Sequence, residues 1–311
     1  MIDRQLLVVS FEVTLSCVCH CQHCDLGGMR GNEKQMRPED FSKIIYDLKP
    51  LVTQLSGGEP LLRKDIVEIV KAIKKFGNLP YVILVTNGVL LTKEKYLALR
   101  EAGVDQFSIS LDFPDERHDE FRRYPGLFKH LNTLLPELSR YGFKDIILNS
   151  CITKANFKEV IPLAKKAIEW GVAISYSAYT SLRTKKEELA FSKKEDLKAL
   201  RESFSQLIKF KKKTSSIINS KHLLLKFLKF LEKGYMPDCQ AGLKFLIVMP
   251  DGAFVPCSLR REKFSNLRDL RKSFSRNNKC GSCYVAIRAY SERSIFEEIR
   301  ELPRYLKLIS K

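Results

Sequence analysis

The chain has 311 residues, of which 44% are hydrophobic and 29% are charged, and its formal net charge is +18. This composition is that of a globular protein with one or two domains, and it excludes a disordered or fibrous chain. Because no segment approaches the roughly 20 apolar residues of a membrane span and no charged-then-apolar leader opens the chain, we expect a cytoplasmic protein.

The positive charge is concentrated in the second part of the chain. Residues 1–182 carry a net charge of +2, whereas residues 183–311 carry the remaining +16. A cationic region of this size can attract an anionic substrate, a lipid surface, a nucleic acid or an acidic redox partner. A lysine-rich proteome would give the same excess without any such partner, and both explanations stay open.

Six short apolar segments alternate with amphipathic segments between residues 6 and 178. This alternation predicts an α/β fold with a parallel sheet and right-handed crossovers, and several of the strands have the unbroken apolar pattern of a sheet buried on both faces. It fits a closed or partly closed (β/α) barrel. The predicted strands are Leu6–Val13, Leu51–Leu55, Tyr81–Val85, Gln106–Leu111, Asp145–Asn149 and Val172–Ser177, with helices beginning near Pro38, Lys64, Thr92, Gly126 and Asn156.

Two further regions follow the predicted barrel domain, residues 1–183. Residues 184–233 form a lysine-rich helical connector whose apolar face packs on the barrel, or alternatively a basic amphipathic surface for lipid or another anionic partner. Residues 234–311 form a small α+β domain in which a strand, a Pro-Asp-Gly turn and a returning strand predict a β-hairpin followed by helices.

Polar motifs follow the ends of the predicted strands. Cys17–Cys24 follows the first strand, Ser56–Pro60 the second, Thr86–Gly88 the third, and Ser110–Asp112 closes the fourth. In (β/α) barrels the chemistry lies at the carboxyl ends of the strands. The shared position of these motifs therefore predicts one site at that end of the sheet.

Three cysteines after the first strand, Cys17, Cys21 and Cys24, have the spacing C-x3-C-x2-C. Thiolates hold iron–sulfur clusters, and a cubane cluster normally takes four of them. Three on one loop would leave the fourth iron open to an outside ligand, which is the arrangement of a reactive centre. A zinc loop or a group of buried thiols is the alternative.

The loop and a second motif resemble those of the radical S-adenosylmethionine (radical SAM) superfamily. The second motif is Gly57-Gly58-Glu59-Pro60, which begins 33 residues after Cys24. The resemblance implies a partial barrel of six (β/α) units and a 4Fe-4S cluster whose open iron binds SAM. It also implies reductive cleavage of SAM to methionine and a 5'-deoxyadenosyl radical, which abstracts a hydrogen atom from the substrate.

The same resemblance assigns residues to the cofactor. It implies that Gly57, Gly58 and Glu59 bind the amino group of SAM, and that His23 is the ring beside the cofactor. It further implies that Ser110 and Arg122 hold the ribose and carboxylate, with Arg123 as the alternative to Arg122. We also assign Asn87 to the cofactor, while Asp112 either contacts ribose or substrate or caps the next helix. These positions all lie in the stretch from Cys17 to Arg123.

A second set of cysteines lies in the C-terminal part, at Cys239, Cys257, Cys280 and Cys283. Four thiolates hold either a tetrahedral zinc ion or a fully ligated 4Fe-4S cluster. The spacing C-x12-G-x4-C followed by C-x2-C resembles the twitch domain, a shortened relative of the SPASM domain. This resemblance implies one auxiliary 4Fe-4S cluster without an open iron, for which electron transfer is the expected task.

Two cysteines and three other polar residues have weaker assignments. We expect Cys19 to point away from the cluster loop, and Cys151 to be either a buried thiol or a hydrogen donor facing the substrate. Tyr176, Tyr179 and Arg183 follow or end the sixth strand and are candidates for the pocket lining on position alone.

The sequence therefore predicts a radical SAM enzyme that oxidises or functionalises a C–H bond of an anionic small molecule or lipid. A flavodoxin or ferredoxin is the expected reductant. A peptide-modifying enzyme is an alternative, although the barrel begins by residue 6 and leaves no preceding peptide-docking domain. An RNA-modifying enzyme is favoured by charge, but a nucleic-acid partner is not expected because no RNA-binding module is recognised. A zinc-stabilised binding protein is the alternative that is not an enzyme.

Overall fold

The computed structural model describes residues 6–293, and an eight-stranded sheet lies at its centre. The order of the strands is β6-β5-β4-β3-β2-β1-β7-β8, with every neighbouring pair parallel except β7 and β8. The strands are β1 Val8–Thr14, β2 Val52–Gly57, β3 Tyr81–Thr86, β4 Gln106–Ser110, β5 Ile146–Ile152, β6 Ala173–Ala178, β7 Phe245–Val248 and β8 Phe254–Val255.

The six predicted strands are confirmed, with ends that differ by at most three residues. Helices connect them as expected, and one short helix, α4, was missed by the sequence prediction. The helices are α1 Pro38–Leu48, α2 Ile66–Ile73, α3 Lys93–Ala102, α4 Arg117–Arg122, α5 Leu127–Ser139, α6 Val160–Glu169, α7 Lys194–Lys211, α8 Lys221–Lys233, α9 Leu267–Ser273 and α10 Ala286–Ser291.

The two faces of the sheet differ in chemistry, as the first strand illustrates. Val9, Phe11 and Val13 of β1 join the main hydrophobic core, which the sheet shares with the helices. Ser10 and Glu12 alternate with them and face the other side, although both are buried. Side chains alternate along a strand, so this inner face is the polar one, and it leads to the carboxyl ends of the strands.

Helices α7 and α8 pack against the same core as the first six strands. Leu200 and Phe204 of α7, together with Leu224 and Phe227 of α8, are fully buried members of that core. Most lysines of both helices are exposed to solvent, whereas Lys211 and Lys226 are half-buried. The boundaries 1–183, 184–233 and 234–311 stay predictions, and the last of these regions extends beyond the described residues.

The predicted hairpin is present as β7 and β8, but it does not form a separate sheet. Strand β7 pairs in parallel with β1, from Val8 opposite Phe245 to Phe11 opposite Val248. A turn at Gly252, which has a φ of +86°, leads into the antiparallel strand β8. The C-terminal region therefore continues the central sheet, and helix α10 contacts both β7 and β6.

None of the helices within residues 6–293 is both long enough and apolar enough to cross a membrane.

Candidate active site

A cavity of about 160 Å³ lies at the carboxyl ends of strands β1 to β4. It brings together nine of the ten residues that the sequence assigned to the first cluster and to SAM, all except Glu59. Those nine are Cys17, Cys21, His23, Cys24, Gly57, Gly58, Asn87, Ser110 and Arg122.

The cysteine loop folds back on itself at this cavity. The backbone groups of Cys17 and Gly28 exchange two hydrogen bonds, of 3.0 and 3.1 Å, and the amide of Cys24 donates to the carbonyl of Cys21. Cys17 and Cys21 are buried, whereas Cys24 is partly exposed. The loop thus presents three thiols to one cavity.

The expectation that Cys19 points away from this loop is wrong. Its side chain is only 1% exposed, packs against Cys17 and Cys21, and lines the same cavity. The loop is neither strand nor helix, so the spacing of its residues does not determine the directions of their side chains. The cavity is therefore lined by four thiols, and Cys19 packs against Cys17 and Cys21.

Each thiol of the C-x3-C-x2-C set accepts a hydrogen bond from a different part of the chain. Asn87 Nδ2 lies 3.6 Å from the sulfur of Cys17, Arg122 Nη1 lies 3.6 Å from that of Cys21, and the Leu26 amide lies 3.4 Å from that of Cys24. Donors aimed at sulfur favour the thiolate, which is the form that binds metal.

The thiols differ in pKa because their surroundings differ. The hydrogen bond from Cys19, reinforced by the charge of Arg122, lowers the pKa of Cys21 to about 6. The hydrogen bond from Cys19 also lowers the pKa of Cys17. Burial raises the pKa of Cys24, because its neighbour Leu26 only partly offsets the loss of water.

The end of β2 packs so closely against the segment that leads into the cysteine loop that only glycine fits at Gly57 and Gly58. A Cβ on Gly57, whose φ is +120°, would lie 2.2 Å from the carbonyl oxygen of Thr14. A Cβ on Gly58 would lie 2.0 Å from that of Ser16. Both contacts are with backbone that cannot move aside, so the two glycines let this strand end close against the loop as well as line the cavity.

Glu59 lies behind the wall of the cavity. Its side chain is fully buried, and its two oxygens accept hydrogen bonds from the Thr86 hydroxyl at 2.7 Å and from the amides of Asn87 and Leu61 at 2.8 and 3.1 Å. Burial raises the pKa of this carboxyl. Glu59 thus holds the end of β3, and with it Asn87, in place; its direct contact with SAM stays a prediction.

His23 is the ring that the resemblance implied beside the cofactor. It lines the cavity and stacks on Phe121, with 4.9 Å between ring centroids and 13° between the planes. Burial, together with the charge of Arg122, lowers the pKa of His23 to about 4, so the ring is neutral near pH 7. Its Nδ1 is buried without a hydrogen-bond partner and can accept or donate a bond to a ligand.

Of the two candidate arginines, Arg122 faces the cavity, whereas Arg123 is exposed at the end of α4. Arg122 Nε and Nη2 lie 2.8 and 2.6 Å from Oδ2 of the fully buried Asp112, whose other oxygen accepts the amide of Cys151. Burial is the largest single effect and would raise the pKa of Asp112, but the charge of Arg122, together with smaller contributions that include the Cys151 amide, lowers that pKa overall. Asp112 is therefore the counter-ion of Arg122 and caps no helix.

The assignment of Tyr176 and Tyr179 to the pocket lining is wrong. The Tyr176 hydroxyl donates to the carbonyl of Val160 on α6, because Tyr176 lies on the helix side of β6. The Tyr179 hydroxyl bonds to Thr184 and Lys186, and it does not line the cavity. Cys151 is also outside the cavity wall, and burial raises its pKa to about 12.

Two ion pairs near the cavity link distant parts of the chain. Arg183 lies 2.6 Å from Asp25 in the cysteine loop and donates to the carbonyl of Ser258. Arg261 lies 2.9 Å from the buried Glu12 on the inner face of β1. The sequence analysis missed the second pair, although a glutamate within the strand VVSFEVT was a signal for it.

The surroundings of the four C-terminal cysteines differ from those of the first cysteine set. Cys239, Cys257 and Cys283 are buried, and Cys239 and Cys257 belong to a second hydrophobic cluster against which Cys280 packs. Burial, with smaller contributions from neighbouring thiols, raises the pKa of Cys239 to about 11 and that of Cys283 to about 12.

Arg288 places a positive charge beside these thiols. It is 0% exposed, pairs with Glu292 at 3.0 Å, and donates to the carbonyl of Cys283 at 2.6 Å. Its charge partly offsets the raised pKa of Cys239 and of Cys283. A buried guanidinium near Cys239 and Cys283 suits a group with net negative charge, as a thiolate-bound cluster or zinc ion has.

Within residues 6–293, no group of three or more His, Cys, Asp or Glu side chains converges closely enough for a single metal ion. Both cysteine sets are therefore judged on their donor types and surroundings. Three thiols that accept hydrogen bonds from nitrogen donors fit an iron–sulfur cluster at the first set, and four thiols, three of them buried, fit a fully ligated group at the second.

The thiol loop, the two glycines and the strand-end cavity together define a class of enzyme. A family model described as the Radical SAM superfamily matches residues 11–167, which contain this whole site, and the chain belongs to that family. The family is one of enzymes that use a 4Fe-4S cluster and SAM.

The curated relatives carry two kinds of name. The AdoMet-dependent heme synthase of Methanosarcina barkeri is 33% identical over 178 residues, which are 55% of this chain and 50% of that protein. The heme synthase of Oleidesulfovibrio alaskensis is 24% identical over 85% of this chain and 72% of its own. The GTP 3',8-cyclase of Aquifex aeolicus is 31% identical over 59% of each. The chain thus spans only about half the length of the Methanosarcina barkeri protein.

Solved structures with the same fold also resemble this chain. Streptococcus suis SuiB bound to S-adenosylmethionine superposes with a TM-score of 0.68 at 18% identity, over 89% of this chain and 67% of that one. Native anSMEcpe with bound AdoMet has a TM-score of 0.63 at 17% identity, over 85% of this chain and 78% of that one. At these identities the likeness establishes the fold.

Proposed function

We propose that this protein holds a 4Fe-4S cluster on Cys17, Cys21 and Cys24 and binds SAM in the adjoining cavity. The observation that supports this most strongly is the convergence on that cavity of nine residues from the ends of strands β2 and β4 and from the segments that follow strands β1 to β4. When bound, the cluster and SAM supply reductive cleavage of SAM and a 5'-deoxyadenosyl radical that removes a hydrogen atom from the substrate.

The residues around the sulfurs would stabilise a negatively charged cluster. Arg122 is kept charged and oriented by Asp112, and it contributes both a hydrogen bond and a positive charge at Cys21. Asn87 donates a hydrogen bond to the sulfur of Cys17 but carries no charge. Glu59 holds Asn87 in place by accepting a hydrogen bond from the backbone amide of Asn87. Hydrogen bonds to sulfur are one of the means by which proteins set the potential of a cluster.

The residues on the other side of the cavity would bind SAM. Gly57 and Gly58 line the cavity with backbone alone, and Ser110 ends β4 at the same wall. His23 presents a neutral ring with a free Nδ1. We assign the carboxylate of SAM to Arg122, whose guanidinium has one edge on Asp112 and its Nη1 directed into the cavity towards Cys21.

For the C-terminal set, we propose one auxiliary 4Fe-4S cluster on Cys239, Cys257, Cys280 and Cys283, in a twitch-like domain that follows a partial barrel of six (β/α) units. Four protein ligands would leave no iron open, so electron transfer is the proposed task. The burial of three of these thiols and the buried charge of Arg288 support a closed site. Zinc is the alternative, because the same four thiolates would hold it.

The proposed substrate is an anionic small molecule or lipid. Arg183 pairs with Asp25, the residue after Cys24, Arg261 pairs with Glu12 on β1, and residues 183–311 carry a net charge of +16. One group of relatives is named for GTP, which is an anionic nucleotide. The same positive charge would attract an acidic flavodoxin or ferredoxin as the reductant, and the proposed location is the cytoplasm. The rival substrates are a peptide and an RNA.

The test uses protein that is reconstituted with iron and sulfide under anaerobic conditions and then given SAM and dithionite. Wild type should release 5'-deoxyadenosine, whereas the variant with Cys17, Cys21 and Cys24 changed to Ala should release none. Arg122→Ala should weaken SAM binding at least about tenfold, since it removes a charge-assisted pair. Its exposed neighbour provides the control, Arg123→Ala, which should bind SAM as wild type does.

Retained 5'-deoxyadenosine in the triple variant would overturn the assignment of these cysteines. A colourless protein that binds only zinc would favour the binding-protein alternative over an enzyme with a cluster. The substrate class is tested by offering deuterated candidates and following deuterium into 5'-deoxyadenosine. Transfer from an anionic metabolite supports the proposal, and transfer from a peptide or RNA alone contradicts it.

A further inference from the structure

Most of the exposed apolar side chains among residues 6–293 lie on one edge of the sheet. Eleven large apolar side chains in this range are exposed. Eight of them lie where the chain leaves helices α1, α2, α5 and α6 and enters strands β2, β3, β5 and β6. Because these strands are parallel, their entry ends form one edge, opposite to the carboxyl ends that carry the candidate active site.

We call residues 46–51, 75–81 and 141–144 the aromatic edge. Its most exposed apolar side chains are Leu79, Tyr46 and Phe76, which are 63%, 59% and 54% exposed. The rings of Tyr46 and Phe76 contact each other, with 5.3 Å between their centroids. The Tyr81 amide donates a hydrogen bond of 2.9 Å to the carbonyl of Leu51. The segments before β2 and β3 thus present their apolar side chains together.

Cations lie over the rings of this edge. Lys49 and Lys75 place their Nζ atoms 5.7 Å from the ring centroids of Tyr46 and Phe76, respectively. These are distances at which a cation is attracted to the face of an aromatic ring. The edge therefore combines apolar surface and positive charge at the same positions.

The segment before β5 repeats this arrangement. The guanidinium of Arg100 lies 3.3 Å from the ring centroid of Phe143, and Tyr141 lies parallel to Phe143 with 5.8 Å between the centroids. Arg100 also pairs at 2.8 Å with the buried Asp145, which neutralises that carboxylate. The same combination of rings and cations thus occurs on both sides of β4.

The aromatic edge is positively charged. Its three segments contain Lys49, Lys75 and Lys144 but only one acidic residue, Asp47, which gives a net charge of +2. All four of these side chains are exposed. The nearby carboxylate of Asp105 is paired with Lys74 at 2.6 Å. The partner of this edge should therefore be apolar in part and negatively charged at its surface.

We propose that the aromatic edge docks the protein on the surface of a membrane that contains anionic lipids. Rings and leucine side chains are stabilised at the boundary between lipid headgroups and acyl chains, and lysines beside them are attracted to anionic headgroups. The proposal concerns a surface far from the cysteine loop and does not depend on the proposed function.

Two other occupants fit this edge less well. Bases of a nucleic acid would stack on ring faces, and there they would compete with the cations that lie over Tyr46, Phe76 and Phe143. A second copy of the chain that used the same edge would bring like charges together. A lipid surface meets neither difficulty.

Docking by this edge would orient the candidate active site. The edge and the cavity lie at opposite ends of the parallel strands, so the cavity of a docked protein would face the aqueous phase. Among the proposed substrates, this orientation favours a small anionic molecule over a membrane lipid.

The test measures how much of the full-length protein sediments with lipid vesicles at low salt. The vesicles contain either phosphatidylcholine alone or phosphatidylcholine with phosphatidylglycerol, which is anionic. One variant, Phe76→Ser with Leu79→Ser, removes apolar surface from the edge. A second variant, Lys75→Glu with Lys144→Glu, reverses two of its charges. All four side chains are exposed, so both variants should fold, and circular dichroism checks this.

Matched control variants change another exposed surface. Lys198→Glu with Lys209→Glu reverses two exposed charges on α7, and Leu225→Ser removes an exposed apolar side chain from α8. The α7 variant has the same change in net charge as the second edge variant. It therefore separates docking by the aromatic edge from a general attraction of a cationic protein to anionic vesicles.

We expect wild type to bind the vesicles that contain phosphatidylglycerol, to bind phosphatidylcholine alone much more weakly, and to lose binding as salt is added. Each edge variant should bind the anionic vesicles at least about tenfold more weakly, because it removes buried apolar area or an attraction between charges. The variants of α7 and α8 should bind as wild type does.

Three results would overturn the inference. The first is wild-type protein that does not bind anionic vesicles. The second is wild-type binding by both edge variants, and the third is an equal loss of binding in the α7 variant. If wild type ignores vesicles but forms dimers or binds RNA in a way that Phe76→Ser with Leu79→Ser abolishes, the edge belongs to that partner instead. Formation of 5'-deoxyadenosine is measured separately, so failure of the proposed function is distinguished from failure of docking.

Discussion

The two cysteine sets of this protein have the same donor atoms in opposite surroundings. The first set, on the loop Cys17–Cys24, opens on a cavity, and the pKa values of two of its thiols are lowered. In the second set, Cys239 and Cys257 lie in a hydrophobic cluster against which Cys280 packs, and the pKa values of Cys239, Cys257 and Cys283 are raised. The difference teaches that the surroundings of the thiols distinguish a reactive site from a closed one.

The strongest way to break this comparison is to remove one set and keep the other. Changing Cys280 and Cys283 to Ala should reduce the iron content from about eight to about four per chain, since each cubane holds four. SAM cleavage should persist, because the first set is untouched. Iron content and SAM cleavage are measured on the same preparation. Loss of all SAM cleavage would contradict the independence of the two sites.

A large effect is also expected at the counter-ion of Arg122. Asp112→Asn keeps the shape of the side chain but leaves a buried guanidinium without its charge partner, which should lower the free energy of unfolding by about 3–5 kcal/mol. The matched variant Asp115→Asn breaks the exposed pair with Arg117 and should cost only about 0–1 kcal/mol. Urea unfolding followed by circular dichroism measures both, and equal costs would contradict the burial argument.

The glycine contact behind the first set predicts a smaller loss. Gly58→Ala would place a Cβ 2.0 Å from the carbonyl oxygen of Ser16, and the strain should cost about 1–3 kcal/mol and displace the cysteine loop. Gly31→Ala is the control, because nothing lies within 4 Å of its Cβ. Unfolding and iron content together test this. An unchanged iron content in a destabilised Gly58→Ala would mean that the contact serves stability alone.

The smallest expected effect concerns the pH dependence of thiol alkylation in the metal-free protein. Here the rate of alkylation should change by about tenfold or more across the pH range. The thiolate is the reactive form, so Cys21, with a pKa of about 6, should react at nearly constant rate above pH 7 and lose reactivity below pH 6. Cys239 and Cys283, with pKa values of about 11 and about 12, should react slowly at pH 7 and faster as the pH rises. Iodoacetamide labelling with mass spectrometry measures each rate; similar profiles would contradict the comparison.

Much of the fold was predictable because each strand is a short apolar segment between amphipathic helices. The pairing of β7 with β1 was not predictable, since Val8 and Phe245 are 237 residues apart and nothing in either segment specifies its neighbour. Helix α4 was missed because its six residues, Arg117–Arg122, are too few to show a clear period.

The site was predictable where a strand end fixes the position of a residue, as for Gly57, Asn87 and Ser110. It was not predictable where a side chain chooses between partners. The assignment of Glu59 to SAM stays a prediction, but its hydrogen bonds from the Thr86 hydroxyl and the Asn87 amide were not indicated by the sequence. Cys19 was expected outside the site, and its irregular loop turns it inward. These choices depend on contacts between distant segments, which spacing does not encode.

The central claim is that the first set leaves one iron open for SAM and that the second does not. Electron paramagnetic resonance of the reduced protein tests it directly, with one variant lacking Cys280 and Cys283 and another lacking Cys17, Cys21 and Cys24. The account predicts that SAM carrying ¹⁵N in its amino group changes the signal and shows coupling to ¹⁵N in the first variant only. A SAM response from the second variant, or from neither, would contradict it.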